Sequence, residues 1–182
     1  MERLMSKKAQ DGKAQDDFAF PKEWTVFGPV GKDDPEPHFA GMKQVPSELN
    51  VCGKRLAALK AAFTDNRLDL GALLGGKGGD KTAFLMAAIE SDTAMEVEPG
   101  AGADWWMKWW VNGEVVCDTL AYDIGNGKWP PGVLGHRFTA RLKAGRTLIA
   151  AWQRLAREPQ LACDLDICAF LHNVEAEVGR MS

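Results

Sequence analysis

The chain is poor in the side chains that carry most enzyme chemistry. It has three histidines, His38, His136 and His172, and none has the H-x-x-x-H or H-E-x-x-H spacing of a zinc enzyme. It also lacks the G-x-S-x-G motif that presents a nucleophilic serine. These absences predict a protein that is not an enzyme and that holds neither a metal nor a cofactor. A hydrolase built on two distant carboxylates is the alternative that remains open.

Cysteine is scarce and is not arranged for metal binding. The four cysteines are Cys52, Cys117, Cys163 and Cys168, and no C-x-x-C pair occurs among them. We interpret them as small, buried apolar side chains. One disulfide, for instance between Cys52 and Cys117, is left open by the sequence, and so is the redox compartment.

Long apolar runs and an excess of basic residues are also absent. No stretch of about 18 apolar residues exists, so the sequence predicts no membrane insertion. The formal net charge of −3 argues against nucleic-acid binding, which draws on an excess of Lys and Arg. Residues 1–20 are polar and predict a tail, because such a composition buries too little surface to order itself. They also lack the apolar segment of a secretory signal, so a cytoplasmic location stays open.

Tryptophan, in contrast, is abundant and concentrated. Four of the seven tryptophans stand within residues 105–110, directly before Asn112-Gly113. Asn-Gly is a strong signal for a two-residue type I′ turn, because both positions need a positive φ. The sequence therefore predicts a hairpin that returns through Glu114 to Asp118. Successive side chains of a strand point to opposite faces, so Trp109 shares one face with Val111 and Trp110 shares the other with Trp106.

Further short strands are predicted along residues 21–182, which we expect to form a single domain. Leu56–Phe63 favours a helix by propensity alone. The remaining apolar stretches are bounded by Gly and Pro turns, a pattern typical of an antiparallel sandwich. We expect an all-β fold, an antiparallel jelly-roll β-sandwich of about eight strands. Besides the hairpin, its strands include Trp24–Val30 (stopped by Gly28-Pro29), Thr82–Glu90, His136–Leu142, Thr147–Trp152 and Leu161–Phe170.

The order and spacing of these segments resemble those of a known family. The matching stretches are Glu23–Pro29, Leu68–Leu70 with Leu74–Gly76, Ala83–Ile89, Asp104–Val111 with Asn112–Glu114, and Leu142–Gly145. Together they cover about four-fifths of the chain. The family consists of jelly-roll β-sandwich accessory modules of large secreted, glycan-associated bacterial proteins, similar in turn to protective-antigen-type lectin domains.

The resemblance has several structural implications. It implies that residues 53–66 are extended, against their helical propensity, and that Trp109 and Val111 point into the core. The lectin relatives bind calcium through an Asp-Asp pair just before the hairpin. Here the pair is Ala103-Asp104, and a calcium ion needs six to eight oxygen ligands. We therefore expect no calcium-dependent sugar binding of that kind, and Asp104 would only cap the strand.

The resemblance also implies a function, that of a non-catalytic, glycan-binding module of a secreted or cell-surface protein. Flat aromatic rings stack on sugars while neighbouring polar groups bond the hydroxyls. The predicted rings are Trp106, Trp110 and the loop residue Trp129, and the predicted polar partners are Lys108, Asp104, Asn126 and His136. The competing interpretation is that most of the tryptophans only fill the core.

The alternative function is a self-assembling structural subunit, such as an extracellular fibre or layer. An open sandwich has sheet edges with unpaired main-chain groups. The tail of residues 1–20 would add a strand to the edge of a neighbouring copy. Contacts of this head-to-tail kind build filaments when they do not close into a ring.

Overall fold

The computed structural model describes residues 21, 23–31, 33–64, 67–75, 81–103, 106–121 and 136–154, together with the backbone of 166–168. These residues form strands with one short helix, so the predicted all-β fold is confirmed. The elements are β1 Glu23–Gly31, β2 Glu48–Val51, β3 Lys54–Ala57, β4 Leu59–Ala62, α1 Leu70–Leu73, β5 Lys81–Ser91, β6 Met95–Val97, β7 Gly100–Gly102, β8 Met107–Val111, β9 Glu114–Asp118, β10 His136–Arg137, β11 Ala140–Leu142, β12 Gly145–Arg154 and β13 Asp166–Cys168.

A six-stranded antiparallel sheet in the order β4-β1-β5-β12-β8-β9 dominates the structure. Its centre is the long pair of β5 and β12, which runs from Gly145 opposite Ser91 to Arg154 opposite Thr82. Both strands are nearly continuous apolar runs, the pattern of strands that are buried on both faces. The smaller sheets have the orders β10-β7-β13, β11-β6 and β2-β3.

One face of the large sheet packs on β6, β7 and β11, and we call this contact the inner core. Trp109 lies at its middle, 1% exposed. Its ring meets Trp24 edge-on, with centroids 6.0 Å apart, and Phe138 at 5.6 Å. Such aromatic pairs add about 0.5–1.5 kcal/mol beyond the area they bury. The buried positions of Trp109 and Val111 confirm their predicted orientation, and the antiparallel sandwich is confirmed with them.

The opposite face of the large sheet is covered as well, and we call this contact the outer core. The cover consists of the β2-β3 hairpin and of residues 33–47, a segment without regular secondary structure that we call the strap. From this cover Phe39, Leu49 and Val51 are buried against the sheet. The sheet contributes Phe27, Val30, Phe84, Met86, Trp110, Ala150 and Trp152.

The structure corrects three local expectations. Gly28-Pro29 does not end the first strand, because β1 continues to Gly31 with a register shift between Phe27 and Val30. The matching stretches Leu68–Leu70 and Leu74–Gly76, for which the resemblance implies an all-β fold, flank the short helix α1. The first turn of α1 is capped by the carboxylate of Asp69, which accepts from the Ala72 N–H at 2.8 Å. The described strands are also more numerous than the eight expected, and β1, β5 and β12 extend beyond their predicted bounds.

Of the other expectations, one is confirmed, the open question of a Cys52–Cys117 disulfide is answered, and two lie outside what the structure tests. Residues 54–57 and 59–62 are strands, as the resemblance implied and propensity did not. Cys52 and Cys117 are free thiols, so the disulfide that the sequence left open does not join them. The tail of residues 1–20 lies outside the described residues, and so does most of the predicted strand Leu161–Phe170. The tail and the single-domain organisation stay predictions.

The predicted type I′ turn is present at the tip of the β8-β9 hairpin. Asn112 and Gly113 have φ values of 52° and 85°. The Asn112 N–H donates to the Leu148 carbonyl at 2.8 Å, and the Leu148 N–H donates to Asn112 Oδ1 at 3.3 Å. The turn is therefore tied to β12 through both its backbone and its side chain.

Gly113 is required for space as well as for its φ. A Cβ atom built on Gly113 would lie 2.5 Å from the Cα of Ala40, in the backbone of the strap. Gly145 has the similar φ of 83° but has nothing within 4 Å of such an atom. The two glycines form a matched pair that separates backbone strain from steric overlap.

We predict that Gly145→Ala lowers the free energy of unfolding by about 1–2 kcal/mol, the cost of a left-handed non-glycine residue. Gly113→Ala should cost about 1–3 kcal/mol more, because the strap must also move away from the turn. Urea denaturation of both variants and the wild type measures the difference. Equal losses for the two variants would show that the strap does not lie against the turn.

Candidate functional site

The predicted aromatic ring Trp110 points away from the inner core, as expected, but it is not open to solvent. Its side chain is 5% exposed. The ring of Phe39 from the strap lies over it, with centroids 4.9 Å apart. Trp110 therefore belongs to the outer core in this structure and offers no free ring face on which a sugar could stack.

Lys108 lies between Trp106 and Trp110 in the sequence, and two carboxylates bind its side chain. Its Nζ lies 2.9 and 3.0 Å from the two carboxylate oxygens of Glu36 and 3.2 Å from Oδ2 of Asp118. The ammonium also lies 5.3 Å from the centroid of the Trp110 ring, within cation–π range. Only 18% of the lysine side chain is exposed. The charge is thus fixed in place rather than mobile on a flexible stem.

The electrostatics of this lysine follow from its neighbours. Burial on its own lowers the pKa of Lys108, but the hydrogen bonds and charges of Glu36 and Asp118 outweigh it, so the pKa lies above its ordinary value. Lys108 therefore stays protonated throughout the neutral range. A lysine held in this way donates hydrogen bonds and neither attacks a carbonyl group nor accepts a proton.

Trp106 is the predicted ring that keeps accessible surface among those in the described residues. It lies just before β8, partly buried, and packs against the outer core. Its backbone carbonyl accepts a hydrogen bond from the Arg154 N–H at 3.2 Å, which ties it to the end of β12. It stands two residues before Lys108, and we call the group of Trp106, Lys108, Glu36 and Asp118 the lysine patch. The charges of the patch sum to −1.

The strap brings Glu36 to the patch because its start is anchored. The Gly31 N–H donates to Asp34 Oδ2 at 2.8 Å, and Lys54 Nζ lies 3.4 Å from the same oxygen. That backbone hydrogen bond, opposed in part by desolvation and assisted by Lys54, lowers the pKa of Asp34. Asp34 is therefore ionised at neutral pH and joins the strap to β1 and β3.

Of the other predicted polar partners, the described residue His136 is not brought to the patch. His136 lies in β10, whose partner β7 packs on the inner core, so it is on the other side of the large sheet. Burial lowers the pKa of His136, which is therefore neutral at pH 7. Asp104, Asn126 and Trp129 lie outside the described residues, and their roles stay predictions.

Glu36 and Asp118 were missed by the sequence reasoning, each for a specific reason. Glu36 is 72 residues from Lys108, and no local pattern signals a pair over that separation. Asp118 is nearer, but counting back from the turn places Cys117 opposite Lys108. A bulge between Trp109 and Trp110 adds one residue to β9 and brings Asp118 opposite Lys108 instead.

The structure gives no sign of a metal centre within the part of the chain that it describes. There, no three His, Cys, Asp or Glu side chains lie close enough together to hold an ion. Among the same residues, no helix has the length and apolarity that crossing a membrane requires.

Comparisons with known proteins find only distant likenesses. No family model matches the chain, and no curated protein sequence is significantly similar to it. Selenomethionine-labelled β-glucosidase from Kluyveromyces marxianus aligns with a TM-score of 0.44 at 11% identity, over 83% of this chain and 17% of that one. The glucose complex of β-glucosidase from the same organism gives 0.41 at 12% identity, over 82% and 16%.

A third solved structure, the GH31 α-xylosidase from Xanthomonas citri, gives a TM-score of 0.39 at 16% identity, over 64% of this chain and 12% of that one. The chain thus spans no more than 17% of the length of these proteins. Likenesses at this level assign neither a family nor an activity.

We predict that Lys108→Met lowers the free energy of unfolding at pH 7 by about 1–3 kcal/mol, because two carboxylates lose their charged partner. A raised pKa in the folded state means that this stabilisation is complete below the unfolded pKa of 10.5 and is lost as pH rises above it. The difference between wild type and Lys108→Met should therefore shrink above pH 10.5. Urea titrations from pH 7 upwards measure it.

The exposed Lys143 supplies the control. Lys143→Met should change stability little at any pH, since surface substitutions usually stay within about 0.5 kcal/mol. A Lys108→Met variant as stable as Lys143→Met at pH 7 would contradict the stabilising role of the patch.

Proposed function

We propose that this chain is a non-catalytic, glycan-binding module of a secreted or cell-surface protein, with the lysine patch as its binding surface. The observation that carries the proposal is the partly exposed residue Trp106, two residues before a lysine that two carboxylates hold in place. The motifs that resemble those of glycan-associated accessory modules point in the same direction.

The groups of the patch match the chemistry of a sugar. Each sugar hydroxyl both donates and accepts a hydrogen bond, whereas Lys108 only donates and the carboxylates of Glu36 and Asp118 only accept. An indole supplies a rigid apolar surface for the C–H face of the pyranose ring. All four groups are already ordered, so binding would freeze few additional rotamers.

The same arrangement argues for binding rather than catalysis. Glycoside hydrolysis needs a carboxylic acid that is protonated near neutral pH and a second carboxylate free to act as nucleophile or base. In the patch, both carboxylates are bonded to the ammonium of Lys108, so neither stands free as a nucleophile or base.

The cover over Trp110 limits the strength of binding. With that ring beneath Phe39, Trp106 is the single aromatic platform of the patch. One ring and a few hydrogen bonds support a Kd on the order of 0.1–1 mM, which corresponds to about 4–5.5 kcal/mol. Affinity in a larger protein would then come from several modules acting together.

We predict that a panel of neutral oligosaccharides, titrated calorimetrically into the protein, contains at least one ligand in this affinity range. Trp106→Ala should weaken its binding about tenfold or more, because the stacking surface is lost. Leu59→Ala, at the opposite edge of the sheet, is the matched control and should bind as the wild type does. Circular dichroism would verify that both variants are folded.

Two outcomes would overturn the proposal. Wild-type protein that binds none of the glycans would exclude the function. Trp106→Ala that binds a glycan as tightly as wild type would exclude the patch as its site and return attention to the predicted loop residue Trp129.

A further inference from the structure

The large exposed apolar side chains of the described residues lie in, or directly beside, the two edge strands of the large sheet. Three large apolar residues are exposed there: Leu59 at 39%, Val115 at 52% and Leu120 at 49%. Leu59 lies in β4, which forms one edge of the sheet, and Val115 lies in β9, which forms the other. Leu120 follows β9 directly. Apolar surface at an unpaired edge strand is a known signal for contact with another strand.

The topology makes these two edges complementary in direction. All five steps from β4 to β9 across the sheet are antiparallel. An odd number of reversals means that β4 and β9 run in opposite directions. A second copy in the same orientation, placed beside the first, would therefore set its β4 antiparallel to β9 and continue the sheet without a break.

The edges are complementary in charge as well. β4 has the sequence Leu-Lys-Ala-Ala, with one basic and no acidic residue. β9 is Glu-Val-Val-Cys-Asp, with two acidic and no basic residues; Asp118 is already paired with Lys108, and Glu114 is exposed. A contact between two β4 strands or between two β9 strands would bring like charges together. A contact between one β4 and one β9 would not.

Lys60 of β4 does not project outward from the sheet edge. An edge lysine usually projects outward and keeps other strands away. Lys60 instead turns over the neighbouring strand, where its Nζ donates to Thr25 Oγ1 at 3.0 Å. Lys60 therefore does not project outward from the edge of β4.

We propose that β4 of one copy of this chain adds to β9 of the next, forming a head-to-tail contact between copies through the edges of the large sheet. Main-chain hydrogen bonds supply the contact, and Leu59 and Val115 lose exposed apolar surface. Because the described residues of each copy present one edge of each kind, the contact propagates into open chains rather than closing as a symmetric dimer.

The dimensions of the edges set the strength of the contact. β4 has four residues and β9 has five, and the bulge within β9 interrupts its regular spacing. Edges this short bury less surface than a stable interface requires. Association should therefore depend strongly on protein concentration.

The experiment is sedimentation velocity over a range of concentrations with two variants that each block one edge. Wild type should form species larger than a dimer as concentration rises. Leu59→Glu places an acidic residue of β4 against the acidic β9, and Val115→Lys places a basic residue of β9 against the basic β4. Each variant alone should therefore associate about tenfold or more weakly than wild type. An equimolar mixture of the two should form larger species than either variant does alone, because the unchanged β4 of one variant meets the unchanged β9 of the other.

Leu120→Lys is the control, since it removes an exposed apolar side chain outside the strands and should assemble as wild type does. Three results would overturn the proposal: wild type that stays monomeric at every concentration, a Leu59→Glu variant that dimerises by itself through a β9-β9 contact, or a mixture that stays monomeric. Glycan binding is measured separately, so failure here would leave the lysine patch untouched.

Discussion

Burial of both faces of the six-stranded sheet is the constraint on which the rest of the structure depends. The central strands β5 and β12 carry apolar side chains in every direction. One small-sheet layer covers only half of that surface, and exposing the other half would cost about 25 cal/mol for each Å² of apolar area. The strap and the β2-β3 hairpin cover the other half and so complete the core. Without them, the rings of Phe84, Trp110 and Trp152 would face water.

The lysine patch forms because the strap covers the outer face of the sheet. Lys108 occupies a position on the outer face where apolar neighbours surround it, and such a charge is tolerated only when it is paired. Glu36 reaches it because the strap must cross the sheet, and Asp118 reaches it because the hairpin carries a bulge. The pairing in turn ties the strap to the sheet at a second point, beyond the packing of Phe39. Structure and candidate site therefore share the same few contacts.

Local signals in the sequence predicted much of the fold, whereas the candidate site depends on long-range contacts that the sequence predicted only in part. The turn at Asn112-Gly113 and the orientation of Trp109 follow from φ requirements and strand alternation, which are properties of neighbouring residues. Whether Trp110 is open depends on Phe39, a contact 71 positions away along the chain that no periodicity encodes. The pairing of Lys108 with Asp118 depends on a bulge that shifts a register by one residue. Outward-pointing and exposed are thus different properties, and only the first can be deduced from alternation.

The hairpins β2-β3 and β8-β9 turn with the same backbone geometry yet stand in opposite situations. Asn112-Gly113 is enclosed by the strap on one side and bonded to β12 on the other. Cys52-Gly53 has positive φ values as well, but a Cβ atom added to Gly53 would have no neighbour within 4 Å, and Cys52 is exposed. Insertions and fused sequences would be tolerated at Cys52-Gly53 and would disrupt the packing at Asn112-Gly113. The molecule thus has a built-in attachment point, where its free thiol offers a place to couple a probe or a surface without disturbing either core.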